Sequence, residues 1–74
     1  MSRIEFRRRT PEESAIYEDD ELVGEVYRQE SALEEEPHYY VVHLSEDPRG
    51  PKRIFERGAI RDTAQWMVDS HPLW

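Results

Sequence analysis

Three histidines, His38, His43 and His71, are the side chains of this sequence best suited to metal ligation or proton transfer, and their spacing argues against both. No His-x-x-x-His pair is present. His38 and His43 are five residues apart, and an odd separation on one β-strand points two side chains to opposite faces. There is no cysteine, so thiolate metal sites and disulfides are excluded. His43, Ser45 and Asp47 have the residue types of a base, a nucleophile and an orienter, but nearness along a strand and turn is not triad geometry. The neighbouring carboxylates Asp19 and Asp20 need a cleft before they can act as acid and base, and their surroundings read as a turn. A chain of 74 residues has little material with which to shape a pocket and exclude water. The sequence therefore predicts a non-enzymatic protein with no metal and no cofactor.

What remains is charge, and it is unevenly laid out. The net charge is -7. Residues 1–9 carry four arginines and Glu5, residues 10–45 carry eleven acids against Arg28 alone, and residues 46–74 are balanced at five each. One reading is a solvated surface that keeps a small protein soluble. The sharper reading is an acidic face for a basic protein surface, with Glu18, Asp19, Asp20, Glu21, Glu34, Glu35 and Glu36 as the contact residues. A row of carboxylates held on a sheet can imitate phosphates and occupy the basic groove of a nucleic-acid-binding partner by charge-assisted hydrogen bonds. In that respect the chain is similar to small acidic phage inhibitors of host defence enzymes, which implies an inhibitor or regulator.

A second set of residues supports an alternative. Arg49, Lys52, Arg53, Arg57 and Arg61 gather between a loop and the start of a helix, and Arg3, Arg7, Arg8 and Arg9 could join them in space. A sheet followed by one helix is similar in element order to small sheet-reading DNA-binding domains, such as the amino-terminal domains of phage integrases, and to double-stranded-RNA-binding folds. That resemblance implies a nucleic-acid-binding module. A sequence pI near 4.8 opposes the phosphate attraction such binding needs, so nucleic acid ranks below a basic protein as partner. A third reading is a homodimeric structural domain joined through an edge strand or the Leu73-Trp74 tail.

The elements that must position these residues follow from periodicity. His38–Leu44 (HYYVVHL) is rich in β-forming residues on both faces and lies between Pro37 and Ser45-Glu46-Asp47-Pro48. It reads as the central strand. Residues 2–9 alternate, with Ile4 and Phe6 on one side, and read as an arginine-rich edge strand or a flexible basic arm. Thr10-Pro11-Glu12-Glu13 has the pattern of a helix start, but no apolar stripe follows, so one helical turn at most precedes a short strand over Ser14–Tyr17. Glu18–Glu21 is a tight turn into a strand over Leu22–Gln29. Tyr17 with Tyr27, and Ile16 with Val26, are the expected cross-strand contacts. Gly24 marks a bulge or a close approach. Residues 30–37 and 45–52 are loops, the second exposed, and Arg53-Ile54-Phe55 is a last short strand.

Ile60, Ala64, Met67 and His71 form one stripe of an amphipathic helix, with Gly58 as N-cap, Pro72 as stop and Trp66 widening the apolar face. Trp74 is expected to fold back on the core. The predicted architecture is a single α+β domain over residues 1–74: an antiparallel sheet of three to four strands with one C-terminal helix packed on one face. The expected core is Ile4, Phe6, Val26, Tyr40, Val42, Ile54, Ile60, Ala64, Trp66 and Met67. No apolar run approaches the roughly 20 residues needed to cross a bilayer, and no signal-peptide pattern follows the N-terminal arginines. The expected location is cytoplasmic, with no membrane contact.

Overall fold

The computed structural model describes residues 3–30 and 38–74. Five strands run β1 (Ile4–Thr10), β2 (Glu13–Glu18), β3 (Glu21–Gln29), β4 (Tyr39–Leu44) and β5 (Lys52–Ile54). They pair in sequence order, each antiparallel to the next. A 3-10 turn at Arg57–Ala59 leads into helix α1 (Ile60–Asp69). The α+β class and antiparallel sheet are as expected, but the sheet has five strands, one more than predicted. The extra strand arises because both ends of the sheet pair: Phe6 lies opposite Ile16 in β2, and Ile54 lies opposite Tyr40 in β4. The middle place belongs to β3, and β4 is the inner strand between β3 and β5.

The ladder explains the core. Phe6, Ile16, Gly24 and Leu44 form one row across β1 to β4, and Val26 and Val42 lie in the next. Ile4, Ile16, Val26, Val42, Leu44 and Ile54 are buried there under Ala64, Met67 and Val68 of α1. Ala64 lies three and four residues before the other two, the spacing of the stripe a packed helix presents. Each fully buried apolar side chain contributes roughly 1.5–3 kcal/mol relative to exposure. Phe6, Tyr40 and Ile60 are half-buried and pack against this cluster.

The expected place of Trp66 is corrected: it is 57% exposed, because the helix turns its Ala64–Met67–Val68 stripe inward and leaves Trp66 on the flank. Ile16, Leu44 and Val23, absent from the expected core, are buried. On the other side the sheet has no helix, yet Ala15 and Val41 are buried. Ala15 lies between Arg7 and Glu25, and Val41 between Tyr27 and Arg53, so longer side chains shield both.

Local chemistry overrode several expectations. Thr10-Pro11-Glu12-Glu13 is a hairpin turn and not a helix start: the Glu12 N–H donates to Thr10 Oγ1 at 3.2 Å, and Thr10 lies opposite Glu13. The expected Tyr17–Tyr27 and Ile16–Val26 pairs do not form. The β2–β3 hairpin turns on only two residues, which sets Ile16 opposite Gly24 and Ser14 opposite Val26. Gly24 is both a bulge and a close approach. The register shifts beside it, and a Cβ there would overlap the His43 carbonyl oxygen and lie 2.8 Å from Leu44 Cδ2. Gly58 sits inside the 3-10 turn, and Ala59 is the helix N-cap. Trp74 does fold back, stacking on His71 at 3.8 Å between ring centroids, though half of it stays exposed. Among the described residues no helix is long and apolar enough to cross a membrane.

Candidate functional site

The sheet is electrically different at its two ends. At one end, β2 and β3 are joined by Asp19-Asp20, with Glu18 directly opposite Glu21. Both aspartates have positive φ, 51° and 67°. That pairing of left-handed residues is what a two-residue hairpin with right-handed strand twist requires, and Asn-Gly or Asp-Gly is the usual solution. Here the turn is built from two carboxylates and closed by two more. Asp20 accepts a hydrogen bond from Arg7 at 2.8 Å. Among the described residues no ion pair joins Glu18, Asp19 or Glu21. Glu46, also at positive φ (58°), follows β4 at this same end. Arg3, Glu5 and Arg61 share a shallow hollow with Asp19 and Asp20, so the acids are flanked by bases without being outnumbered.

At the far end lies a cleft of about 410 Å³ between the Pro11 turn, the last residues of β3 and the start of the helix. Its apolar lining includes Phe6, Val26, Tyr40 and Ile60, and Arg8, Arg28, Arg57 and Arg61 also line it. Arg8 lies two residues beyond Phe6, and Arg28 two beyond Val26. Strand alternation therefore sends both to the helix side of the sheet, past the point where apolar residues stop. Arg61 lies over the Phe6 ring, 5.0 Å from its centroid, and donates to the Ile4 carbonyl at 3.5 Å.

The loop after β4, expected to be merely exposed, is pinned to the helix C-terminus. Asp47 is buried, and both its carboxylate oxygens bond to the Arg49 guanidinium at 2.7–3.1 Å. Arg49 also donates to the Met67 carbonyl at 2.8 Å and to Ser70 Oγ at 2.9 Å, satisfying one of the last-turn carbonyls of the helix. The hydrogen bonds from Arg49 hold the Asp47 carboxyl below the ordinary aspartate range, against the opposing effect of its burial. His71 completes the junction: its Nε2–H donates to the Ser45 carbonyl at 3.0 Å, and its Nδ1 accepts from the Leu73 amide at 3.1 Å. A carbonyl can only accept, so this pair of contacts selects the tautomer with its proton on Nε2.

Of the acids singled out in the sequence, Glu18, Asp19, Asp20 and Glu21 are gathered at one hairpin tip, while Glu34, Glu35 and Glu36 lie outside the described residues. The five bases of the alternative set fall into two groups. Arg49 is committed to Asp47 and the helix end. Arg53 lies over the Tyr39 ring at 5.0 Å on the uncovered face of the sheet. Lys52, opposite Val42, is at the edge on the helix side. Arg49, Lys52 and Arg53 line one hollow with Trp66 and Met67, and Arg57 and Arg61 meet in the cleft, where Arg8 and Arg28 join them. Arg28 was the residue sequence reasoning missed. Its signal was its place on the Val26 face, masked by eleven surrounding acids. Among the described residues no three His, Asp or Glu side chains come together as a metal site. No protein-family model matches the chain, and no curated protein or solved structure matches it either.

Proposed function

We propose that this chain is a non-enzymatic binding protein whose acidic hairpin end docks on a basic protein surface, as an inhibitor or regulator. The observation that carries the reading is the β2–β3 turn. Glu18 faces Glu21 directly, and like charges in that position destabilise a hairpin. Between them two aspartates occupy left-handed positions where glycine would relax the second at no steric cost. A turn that gives up stability at Glu18, Asp20 and Glu21 has a use for its charge, since locally unfavourable choices tend to collect at functional sites. Asp19, Asp20 and Glu21 are also exposed at a strand-connecting tip, where their charge is open to a basic partner. A cytoplasmic setting and a partner that itself binds nucleic acid belong to the same proposal.

The test is capture from a lysate of the source cell by immobilised wild-type chain and by the Glu18→Lys/Asp19→Lys/Glu21→Lys variant. Asp20 is left in place because Arg7 holds it. The expected result is a basic protein retained at low salt by the wild type, released as ionic strength rises toward about 1 M, and not retained by the variant. Equal retention by both chains would end the proposal.

A further inference from the structure

We infer that the arginine-lined cleft is a binding site for a nucleotide-sized ligand carrying two or more phosphates. In a chain with 17 acids and 10 bases, four of the ten bases line this one cavity, accompanied by Glu12 and Glu13. Glu13 is engaged by Arg9 at 3.4 Å. Among the described residues no carboxylate pairs with Arg8, Arg28, Arg57 or Arg61, whereas Arg7 has two and Arg9 and Arg49 have one each. Four guanidinium groups around one hollow, with Glu12 as the one lining carboxylate outside the described ion pairs, repel one another, and an anion resting among them removes that repulsion. Their planar forks match phosphate oxygens in bidentate geometry.

The helix start supplies a second, independent element. Neither the 3-10 turn at Arg57–Ala59 nor α1 has a side chain capping its first amides. Gly58 lines the cavity, and a Cβ built on it would meet nothing within 4 Å. The start of the helix thus borders the space the arginines surround, and its positive end favours phosphate there.

Size and floor set the ligand class. About 410 Å³ is at the small-molecule end of binding-site volumes and too small for a duplex. Arg61 already lies over the Phe6 ring, so the half-buried Tyr40 ring gives the floor the aromatic surface on which a nucleobase can stack. Arg61 also lines the hollow beside Asp19 and Asp20, but Arg8, Arg28 and Arg57 line the cleft apart from it, so the inference stands or falls without the acidic hairpin.

The test is a titration of the ¹⁵N-labelled full chain with inorganic pyrophosphate and with ATP, following the Gly58 amide by NMR at low and high salt. Both ligands are expected to move that resonance saturably, and more weakly at high salt. Arg28→Gln and Arg57→Gln, both exposed positions, are each expected to weaken binding on the order of 10- to 100-fold, the worth of a charge-assisted hydrogen bond. Arg53→Gln, on the opposite face, is expected to bind as the wild type does. ATP tighter than pyrophosphate assigns the floor to the base, and equal affinities assign the site to free polyphosphate. The inference is overturned if neither ligand shifts Gly58 saturably, if the Arg28 and Arg57 variants bind unchanged, or if only a 5′-phosphorylated oligonucleotide binds.

Discussion

Asp47 is the residue on which the C-terminal half of the molecule turns. Its side chain is fully buried, and its partner Arg49 in turn holds the Met67 carbonyl and Ser70. Asp47→Asn removes the charge while keeping the shape, and should cost about 2 kcal/mol, the scale of hydrogen bonds to a charged group, read as a fall in melting temperature. The pH dependence has a definite sign. Because the folded-state pKa is lowered, the contribution is fully present at neutral pH and is lost as pH falls through the folded value. The stability gap between wild type and Asp47→Asn should therefore hold from pH 7 to about pH 5 and narrow below about pH 4, by denaturant unfolding at each pH. Gly24→Ala should be as damaging by a different route, since backbone of the neighbouring strand occupies the space a Cβ needs. A cost of about 2 kcal/mol or more is expected from overpacking. Gly24 was legible in the sequence, because glycine inside a strand pattern marks a bulge or a place where another backbone comes close. Asp47 was not: its own side-chain bonds reach only Arg49, but the bonds that tie this loop to the helix end join residues 18 to 26 positions apart, and local sequence reads only as a polar loop.

At the scale of elements, the strands and the helix were legible because their apolar periods of two and near 3.6 are intrinsic to the chain. The hairpin at Thr10 was not, because Thr-Pro-Glu-Glu satisfies helix-start chemistry equally well. Tertiary pairing decided it: the Arg28 amide bonds to the Glu12 carbonyl at 2.9 Å, tying that turn to β3. Trp66 shows a related limit. A helical stripe read from sequence has a width, and a residue at its margin can be turned out when smaller residues pack better. Here Arg49 lies near the Trp66 ring, 5.4 Å from its centroid, on the flank of the helix. Met67→Ala should therefore cost about 2–5 kcal/mol, and Trp66→Ala less than about 1 kcal/mol, by denaturant unfolding. Equal losses would mean that the helix packs on a different face.

For the whole molecule, the strand β4 runs between two unlike ends. The arginine cleft lies toward its Tyr39 end, and the acidic tip lies beyond its Leu44 end, where β3 begins. Charge blocks were visible in sequence, but which bases share a space was not, since that depends on strand register. The acidic end carries a trade-off that can be measured. Glu21→Lys turns a like-charge pair into an opposite-charge pair with Glu18 and should stabilise the fold by roughly 0.2–1 kcal/mol, read by thermal unfolding. The same change should weaken docking on the basic partner. A gain in stability coupled to a loss of binding is the signature expected of carboxylates kept for function.

The most direct measurement is the affinity of the captured basic partner for wild-type chain and for the Glu18→Lys/Asp19→Lys/Glu21→Lys variant across a salt series. Wild-type affinity is predicted to fall steeply with ionic strength, and the variant to bind weakly with a shallow dependence. Identical affinities and identical salt dependence for the two chains would contradict docking through the acidic hairpin.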